Sequence, residues 1–485
     1  MPPSTCLWTL TQRSPETAVR FLSKIHPQVV YFSTSQARYA NPSPKKKTMT
    51  AAPKRGTKTL NTKKGRSAAQ DTGKRPAPGD RKQARKRIVL TNDNALAVAS
   101  LKDMDKADTT SETSQGQVLG IPEATVDALR AVEAFKTTQG WNLFRRPATL
   151  MRKETIELAK VMNEAEGQKR TLRRILSGER LSGKSTLLLQ ALSMAFVREW
   201  VVINLPEAQD IVNAHTEYAP LPDSQPTQYT QDTYMANLLG QILKANSSAS
   251  NPFLAKTQVT ANHTLPVALP ANASLKQLIE VGIVSPEASW PVFLALWREL
   301  TQPGRPPIML AIDGTAHVMK ESDYLNAQVK PIHSFDLAIV RHFIDHLSGA
   351  KSLPNGGVVL AATSQSNAPK TPALDFSIEV AEARRVNPNN IPRWNPYKNI
   401  DPRVMEAFKD LHSPTAENGA GGVNAMDVIK VGGLSKDEAR SIMEYYAESG
   451  MLRAKVDDGF VTEKWSLAGM GNIGELERAS VRFRI

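Results

Sequence analysis

The chain has 485 residues, room for about three domains, and a net charge of +14 at pH 7. Its one cysteine is Cys6, which excludes both a disulfide framework and a thiolate metal site. Since no apolar run reaches the roughly 18 residues that a membrane span needs, we expect a soluble protein.

Residues 1–40 are basic, contain several serines and threonines, and include one acid, Glu16. Their basic residues are Arg13, Arg20, Lys24 and Arg38. This composition is typical of a mitochondrial presequence, so we predict a transit peptide over 1–40 and a protein of the mitochondrial matrix. A merely disordered basic tail is the alternative.

A low-complexity basic tract follows over residues 41–88. Between positions 45 and 87 it holds 16 Lys or Arg against Asp71 and Asp80, and it has no aromatic residue. Such a segment cannot bury a core and is predicted to be disordered in isolation. Residues 1–87 hold 20 basic and 3 acidic side chains, so the total of +14 leaves −3 for residues 88–485.

The basicity is therefore concentrated in a tail attached to a nearly neutral body. A basic arm without aromatic residues suits sequence-independent contact with the phosphates of folded RNA. A solubilising tail or an extended targeting region stays open as the alternative.

Residues 89–170 are predicted to form a helical extension that braces the next domain. Helical periodicity over 121–169 gives one apolar face, and a second helix is predicted around 154–162. The residues of the apolar face are Val126, Leu129, Val132 and Phe135.

Residues 178–185 read G-E-R-L-S-G-K-S and match the pattern G-x-x-x-x-G-K-[ST]. The two glycines let the backbone curl so that successive N–H groups point at phosphate oxygens. Lys184 supplies a positive charge for the outer phosphates, and the Ser185 hydroxyl is a ligand for Mg²⁺. The predicted phosphate-binding residues are Gly178, Glu179, Arg180, Leu181, Ser182, Gly183, Lys184, Ser185 and Thr186.

The flanking sequence gives this motif its structural setting. Hydrophobic patterns predict a strand over 172–176, a helix over 185–200 and a strand over 201–206. Strand, loop, helix and strand form the unit in which a phosphate loop binds a nucleotide.

Another predicted strand, residues 307–313, ends in Asp313. P-loop proteins place a metal-site acid at the C-terminal end of a buried parallel strand, so Ser185 and Asp313 are predicted magnesium ligands. The next residue is Gly314, whereas many hydrolytic proteins of this type carry a glutamate there to position water. Nucleotide binding is therefore predicted, while hydrolysis is expected to be weak or absent and no catalytic residue is assigned.

A further apolar strand is predicted over 357–362, followed by Thr363 and Ser364. These hydroxyls either contact the terminal phosphate or only form a turn. Together the strands predict an α/β fold over 171–377, a P-loop NTPase parallel sheet flanked by helices. The polar stretch 214–274 is predicted to be a surface insertion with a helix over 233–245.

A small helical or winged-helix-like module is predicted over 378–485. Its prolines and asparagines indicate a linker over 378–403. The predicted elements beyond this linker are helices over 425–434 and 437–449 and strands over 460–465 and 481–485.

Several sequence blocks resemble those of a known family. They are A-F-K-T-T-Q-G-W at 134–141, L-F-R-R-P at 143–147, the phosphate loop, W-V-V at 200–202, H-T-E-Y at 215–218 and I-D-G at 312–314. Over residues 120–485 the chain resembles the death-associated-protein type of mitochondrial small-subunit ribosomal protein, in its fungal form.

The resemblance implies an AAA+-like P-loop fold and a guanine-nucleotide-binding protein built into the mitochondrial small ribosomal subunit. It implies GTP or GDP and Mg²⁺ as cofactors, with Asp313 supporting the metal through water. The implied partners are mitochondrial ribosomal RNA and neighbouring small-subunit proteins, and no homo-oligomer is expected. Leu181 stands where such loops commonly have glycine.

The choice of guanine comes from the resemblance alone, because the sequence has no N-K-x-D motif that would read the base. Two functions remain open. In the first, the protein is a structural ribosomal component whose bound nucleotide stabilises its fold. In the second, it is a P-loop NTPase switch, driven by hydrolysis and not stably part of the ribosome.

Overall fold

The computed structural model describes residues 87–109, 111–247, 252–270, 272–365, 368–387, 390–412 and 426–482, together with Gln83 and Arg85. All of them belong to one compact unit, residues 75–485. The predicted presequence and nearly all of the basic tract lie outside the described residues, so both stay predictions.

The strands of the described chain are short in the periphery and longer in the centre. In chain order they are β1 (Val118–Gly120), β2 (Ala148–Leu150), β3 (Thr171–Gly178), β4 (Val201–Leu205), β5 (Ala219–Pro220), β6 (Tyr229–Thr230), β7 (Ile308–Asp313), β8 (Glu321–Leu325), β9 (Pro331–His333), β10 (Gly357–Ala362) and β11 (Met426–Val431).

The helices lie before, between and after these strands. In chain order they are α1 (Glu123–Ala131), α2 (Lys153–Gln168), α3 (Lys184–Val197), α4 (Gln209–Val212), α5 (Asp232–Ala245), α6 (Phe253–Lys256), α7 (Leu275–Val284), α8 (Ser289–Leu300), α9 (Ala338–Leu347), α10 (Pro372–Val386), α11 (Pro402–Ala407), α12 (Lys409–His412), α13 (Lys436–Glu448), α14 (Asp458–Leu467) and α15 (Ile473–Ser480).

A five-stranded parallel sheet forms the centre of the fold, with the strand order β11-β3-β10-β7-β4. Strand β10 lies between β3, which leads into the phosphate loop, and β7, which ends in Asp313. Parallel strands end at the same edge of the sheet, so the loop and this carboxylate lie on one side of the molecule. The α/β fold and the strands over 172–176, 201–206, 307–313 and 357–362 are confirmed.

The sheet is covered on both faces, which explains why β4, β7 and β10 are nearly continuous apolar runs. Every residue of β4, β7 and β10 is buried. Alternate residues face opposite layers: Val201 and Ile203 pack in one core cluster and Val202 in the other. Helices α1, α2 and α3 contribute to the second cluster, and α5, α7, α8 and α9 contribute to the first.

The predicted surface insertion 214–274 is partly wrong. Its helix is in place as α5, but Met235, Leu239 and Ile242 are buried in the core beside the sheet. Leucine, isoleucine and methionine at helical spacing supply an apolar face, which has to be covered in the folded chain.

The predicted helical character of 121–169 is also partly wrong. Helix α1 ends at Ala131, and Glu133 then adopts a left-handed φ of 53°. Strands β1 and β2 pair antiparallel before α2 begins. Val132 and Phe135 are buried as predicted, but they lie beyond the helix end. The second predicted helix, 154–162, is confirmed within α2.

The C-terminal predictions need the largest corrections. The predicted helix over 425–434 is strand β11, because the segment pairs in parallel with β3 at the edge of the sheet. The predicted strand over 460–465 is helix α14, which Asp457 caps by accepting from Phe460 N–H. The predicted linker over 378–403 begins inside helix α10.

The helix over 437–449 is confirmed as α13. Of the strand predicted over 481–485, Val481 and Arg482 are not in a strand, and the remainder lies outside the described residues. Within 436–482 the described chain is helical, so the helical alternative holds rather than a winged helix. The domain boundary predicted between residues 377 and 378 would divide the central sheet, since β11 lies after it and the other four strands lie before it.

Arg85 attaches the end of the basic tract to the folded body. Its side chain is buried, and its guanidinium lies 3.1 Å from Glu133 Oε2 and 2.6 Å from Asp210 Oδ2 and also contacts Glu207. One buried cation thus neutralises part of a cluster of three carboxylates. This part of the predicted disordered tract belongs to the packed structure.

Candidate nucleotide-binding site

The loop between β3 and α3 has the backbone of a tight phosphate cradle. A Cβ at Gly178 would lie 2.5 Å from the carbonyl oxygen of Val431, so only glycine fits where β3 ends against β11. Gly183 caps helix α3 with a left-handed φ of 97°. Leu181 has a φ of 64°, a conformation that is unfavourable for a bulky residue.

Helix α15 supports this strained loop from outside. Gly474 N–H donates to the carbonyl of Leu181 at 3.1 Å, and Asn472 Nδ2 donates to the carbonyl of Arg180 at 2.9 Å. Arg152 supports the loop from inside by donating to the carbonyl of Ser182 at 2.8 Å. The loop is therefore held by hydrogen bonds to two distant parts of the chain.

Lys184 is buried in the mouth of the loop. Its Nζ donates to the carbonyls of Gly178 at 2.7 Å and Glu179 at 2.6 Å. Burial lowers the pKa of Lys184, and the nearby carboxylates of Asp313 and Glu179 offset this only in part. A desolvated ammonium held in this way is well suited to attract an anion.

The N-terminus of α3 adds further anion-binding groups. The first N–H groups of a helix have no intrahelical acceptor and carry the positive end of the helix dipole. Here they belong to the loop and to Lys184, Ser185 and Thr186. Gln139 Nε2 donates to Thr186 Oγ1 at 3.3 Å, which links the helix to the segment that precedes β2.

Asp313 lies at the end of β7 and is buried. Its Oδ2 forms an ion pair with Lys136 Nζ at 2.5 Å. The described residues contain no group of three or more His, Cys, Asp or Glu that could hold a metal. A Mg²⁺ ion here would depend on Ser185, on Asp313 and on phosphates and water. This sparse donor set fits magnesium, which usually keeps several waters.

A cavity of about 260 Å³ opens beside the loop. Four parts of the chain line it: the phosphate loop with the start of α3, the segment from Lys136 to Leu150, residues 363–365 after β10, and helices α13 and α15. Phe144 stacks on Tyr446 with ring centroids 5.4 Å apart and contacts Tyr445 at 5.1 Å. One wall of the cavity is therefore aromatic, and the loop side is polar.

The structure brings many of the predicted residues together. The residues of the loop that line the cavity are Arg180, Leu181, Gly183, Lys184, Ser185 and Thr186. Gly178 and Ser182 are buried behind them, and Glu179 is exposed. Asp313 lies behind Lys136 rather than in the cavity wall.

Thr363 and Ser364 also line the cavity. The Thr363 hydroxyl donates to the carbonyl of Leu176 at 3.0 Å, which ties the end of β10 to β3. A threonine that forms a turn after a strand is expected to make this kind of contact, which also keeps Thr363 near the phosphate loop.

Sequence reasoning missed several residues of the cavity. Lys136 and Gln139 lie in the block A-F-K-T-T-Q-G-W, whose combination of glycine and aromatic residues is a signal for a special local structure. Tyr446 and Glu477 come from helices near the C-terminus, and no local pattern connects them with the phosphate loop.

The parallel sheet, the loop between β3 and α3 and the acid at the end of β7 define an α/β protein with a P-loop NTPase-like fold. The model of the family described as mitochondrial ribosomal death-associated protein 3 matches residues 149–479. The chain belongs to this family, which confirms the predicted resemblance and a location on the mitochondrial ribosome.

Two curated relatives support this membership. The small ribosomal subunit protein mS29 of Neurospora crassa is 43% identical over 415 residues, which cover 84% of each chain. The protein of the same name from Schizosaccharomyces pombe is 25% identical over 356 residues, 72% of this chain and 68% of its own length. In the described residues, no helix combines the length and apolar character needed to cross a membrane.

Proposed function

We propose that the chain is a structural component of the small subunit of the mitochondrial ribosome and that it holds a guanine nucleotide with Mg²⁺ at its phosphate loop. Its relatives, named as small-subunit proteins, support the first part. The basic tail over residues 1–87 supplies the charge that contact with ribosomal RNA requires.

One observation carries the nucleotide part: a buried lysine and a helix N-terminus line the cavity, and the strand-end acid lies behind Lys136 in its wall. Lys184 and the N–H groups at the start of α3 would hold the phosphates. Ser185 and, through water, Asp313 would hold the metal, which neutralises phosphate charge when bound. The choice of guanine rests on the family resemblance.

The cavity favours a structural ligand over a switch. Its walls come from the segment before β2, the phosphate loop, the residues after β10 and the C-terminal helices, so a ligand there would join four parts of the chain. Because binding to the folded state alone stabilises it, the nucleotide would contribute to stability without being hydrolysed. Gly314 after Asp313 leaves no adjacent carboxylate to orient water, which disfavours the switch.

We expect Lys184→Ala to weaken nucleotide affinity and to abolish the rise in melting temperature that saturating guanine nucleotide produces. A ligand at about 100 times its Kd stabilises the folded state by about 2.7 kcal/mol. Calorimetric titration and thermal melting of the full chain measure the two effects. Lys276→Ala is the matched control, since Lys276 is half exposed on α7. A wild-type melting curve that saturating nucleotide leaves unchanged would contradict the structural role.

Membership of the ribosome is tested separately. Mitochondrial lysate is sedimented on a sucrose gradient, and nucleotide is measured in the fraction that contains the protein. Comigration with the small subunit and stoichiometric guanine nucleotide support both parts of the proposal. Recovery only at the top of the gradient would favour a free NTPase.

A further inference from the structure

An exposed tyrosine lies on the surface segment between helices α10 and α11. Tyr397 is 95% exposed, and its ring makes no contact with another aromatic ring of the described chain. A single exposed tyrosine is common on protein surfaces, so a role for it has to follow from its surroundings. These surroundings hold the ring in place and add positive charge beside it.

The backbone that carries Tyr397 forms a tight turn. Asn395 Oδ1 accepts from the Tyr397 N–H at 3.0 Å, and the Asn395 carbonyl accepts from the Lys398 N–H at 3.0 Å. Asparagine followed by proline, here Pro396, is a preferred sequence for the first two positions of such a turn. The ring is therefore presented from a preorganised loop, and a partner that binds it has little backbone to order.

A neighbouring aromatic residue anchors this turn to the folded body. Trp394 packs edge-on against Phe376 of α10, with ring centroids 5.0 Å apart, and Phe376 stacks on His412 of α12 at 5.4 Å. Trp394 is partly buried, whereas Tyr397 extends into solvent. One aromatic side chain thus attaches the segment, and the other is left for a partner.

The same segment is basic. Between Glu382 and Asp401 the sequence has no acid and four cations, which are Arg384, Arg385, Arg393 and Lys398. The first two donate to backbone carbonyls, and Arg393 and Lys398 are exposed on either side of Tyr397 in the sequence. Neither of these two forms an ion pair with a described residue, although Lys398 interacts with Asp375 beyond ion-pair distance.

An aromatic ring flanked by exposed cations suits an unpaired nucleotide. The ring stacks on a base of any kind, and the cations contact the phosphates next to that base. Bases within a duplex are stacked on each other and do not offer a free face. The basic tract over residues 41–88 differs in this respect, because it has no aromatic residue and suits the backbone of folded RNA.

We propose that Tyr397, Arg393 and Lys398 bind an unpaired segment of RNA, with the tyrosine stacked on one base and the cations on the adjacent phosphates. None of the three residues lines the nucleotide cavity, so this site is separate from the phosphate loop. The choice of RNA over DNA rests on the proposed place of the chain in the ribosome.

The test measures binding of labelled oligouridylate and of a labelled hairpin duplex to the full chain, by fluorescence anisotropy at increasing salt. Contacts with phosphates, including those of the basic tail, weaken steeply with salt, while stacking neutralises no phosphate. At high salt we expect Tyr397→Ala to bind oligouridylate at least about fivefold more weakly than the wild type and to bind the duplex equally well. Tyr397→Phe keeps the ring and should bind like the wild type.

Two further measurements locate the contact. Arg393→Ala should reduce the slope of log affinity against log salt for oligouridylate by about 0.7, the value for one phosphate of a single strand. Oligouridylate that carries 4-thiouridine should crosslink, on irradiation, to the tryptic peptide 394–398. Val329→Ala is the control, because Val329 is 74% exposed at the tip of the β8–β9 hairpin and should leave every affinity unchanged.

Equal affinities of Tyr397→Ala and the wild type for oligouridylate overturn the proposal, and so does an equal loss in Tyr397→Phe, which would assign the contact to the hydroxyl. Detachment of a ribosomal protein by Tyr397→Ala, with oligouridylate binding unchanged, overturns it in favour of a protein partner. Recovery of the chain only at the top of the sucrose gradient contradicts the proposed function, whereas binding of oligouridylate that depends on Tyr397 would still support this site.

Discussion

Two histidines on helix α9 give the folded chain a stability that depends on pH. His342 and His346 lie one turn apart, with ring centroids separated by 4.6 Å, and both pack edge-on against Trp297. His346 is 1% exposed, and its Nδ1–H donates to the carbonyl of His342 at 2.7 Å. Two charged imidazoles at this distance in an apolar layer would repel each other and lack solvation.

The structure gives the sign and the size of the effect. Burial lowers the pKa of His346 to about 4 and the pKa of His342 well below its usual value. The unfolded chain protonates both near pH 6.5, so it binds more protons than the folded chain as the pH falls toward 4. Stability is therefore complete above pH 6.5 and is lost below it. For His346 alone the loss between pH 7 and pH 5 is about 2 kcal/mol.

Urea titrations of the wild type and of His342→Phe, at pH 7, 6 and 5, measure this dependence. His342 Nε2 is buried without a hydrogen-bond partner among the described residues, so phenylalanine should be tolerated there. We expect the variant to lose less stability than the wild type on acidification, because one titrating group is absent. His215→Gln, away from this layer, is the control and should keep the wild-type slope. Equal slopes for the wild type and His342→Phe would refute the reasoning.

Two further substitutions test ion pairs. Arg85→Met should lower the free energy of unfolding by about 3 kcal/mol, because it leaves three carboxylates without their buried cation. Arg87→Ala is the control and should change this free energy little, because Arg87 is exposed. Urea titration of the two variants measures both effects. Lys136→Met should make nucleotide binding depend more strongly on Mg²⁺, because Asp313 then loses its ion-pair partner and keeps only Lys184 as a nearby cation. The measurement is the ratio of nucleotide affinities with Mg²⁺ and with a chelator, and a ratio equal to that of the wild type would contradict the role of Lys136.

The sheet was largely predictable because β4, β7 and β10 are nearly continuous apolar runs, a pattern typical of buried parallel strands. Strand β11 was not, because M-D-V-I-K-V is short and its pairing with β3, some 250 residues earlier, decides its conformation. The predicted strand at 460–465 was wrong for a related reason: Phe460 and Val461 have high strand propensity, but the cap at Asp457 and packing against α13 favour a helix.

The same distinction holds at the site. Positions 178–186 were predictable because a phosphate loop is a local motif with fixed spacing. Lys136 and Glu477 were not, since they line one cavity only when segments more than 300 residues apart come together. The charge and aromatic content of the sequence do not show that these segments are close in space, because their proximity depends on the tertiary structure.

Leu181 stands where phosphate loops commonly have glycine, and its conformation supports the proposed structural role of the nucleotide. Glycine at this place would accommodate the left-handed φ of 64° without strain, whereas leucine needs external support. Helix α15 provides it, because Gly474 packs so closely that a Cβ there would lie 2.7 Å from Leu181 Cβ, and its N–H donates to the same residue. The loop's conformation therefore depends on the C-terminal helices being docked. A switch requires a loop that is free to change its contacts, while a loop held in this way suits a ligand that stays bound and joins the parts of the fold.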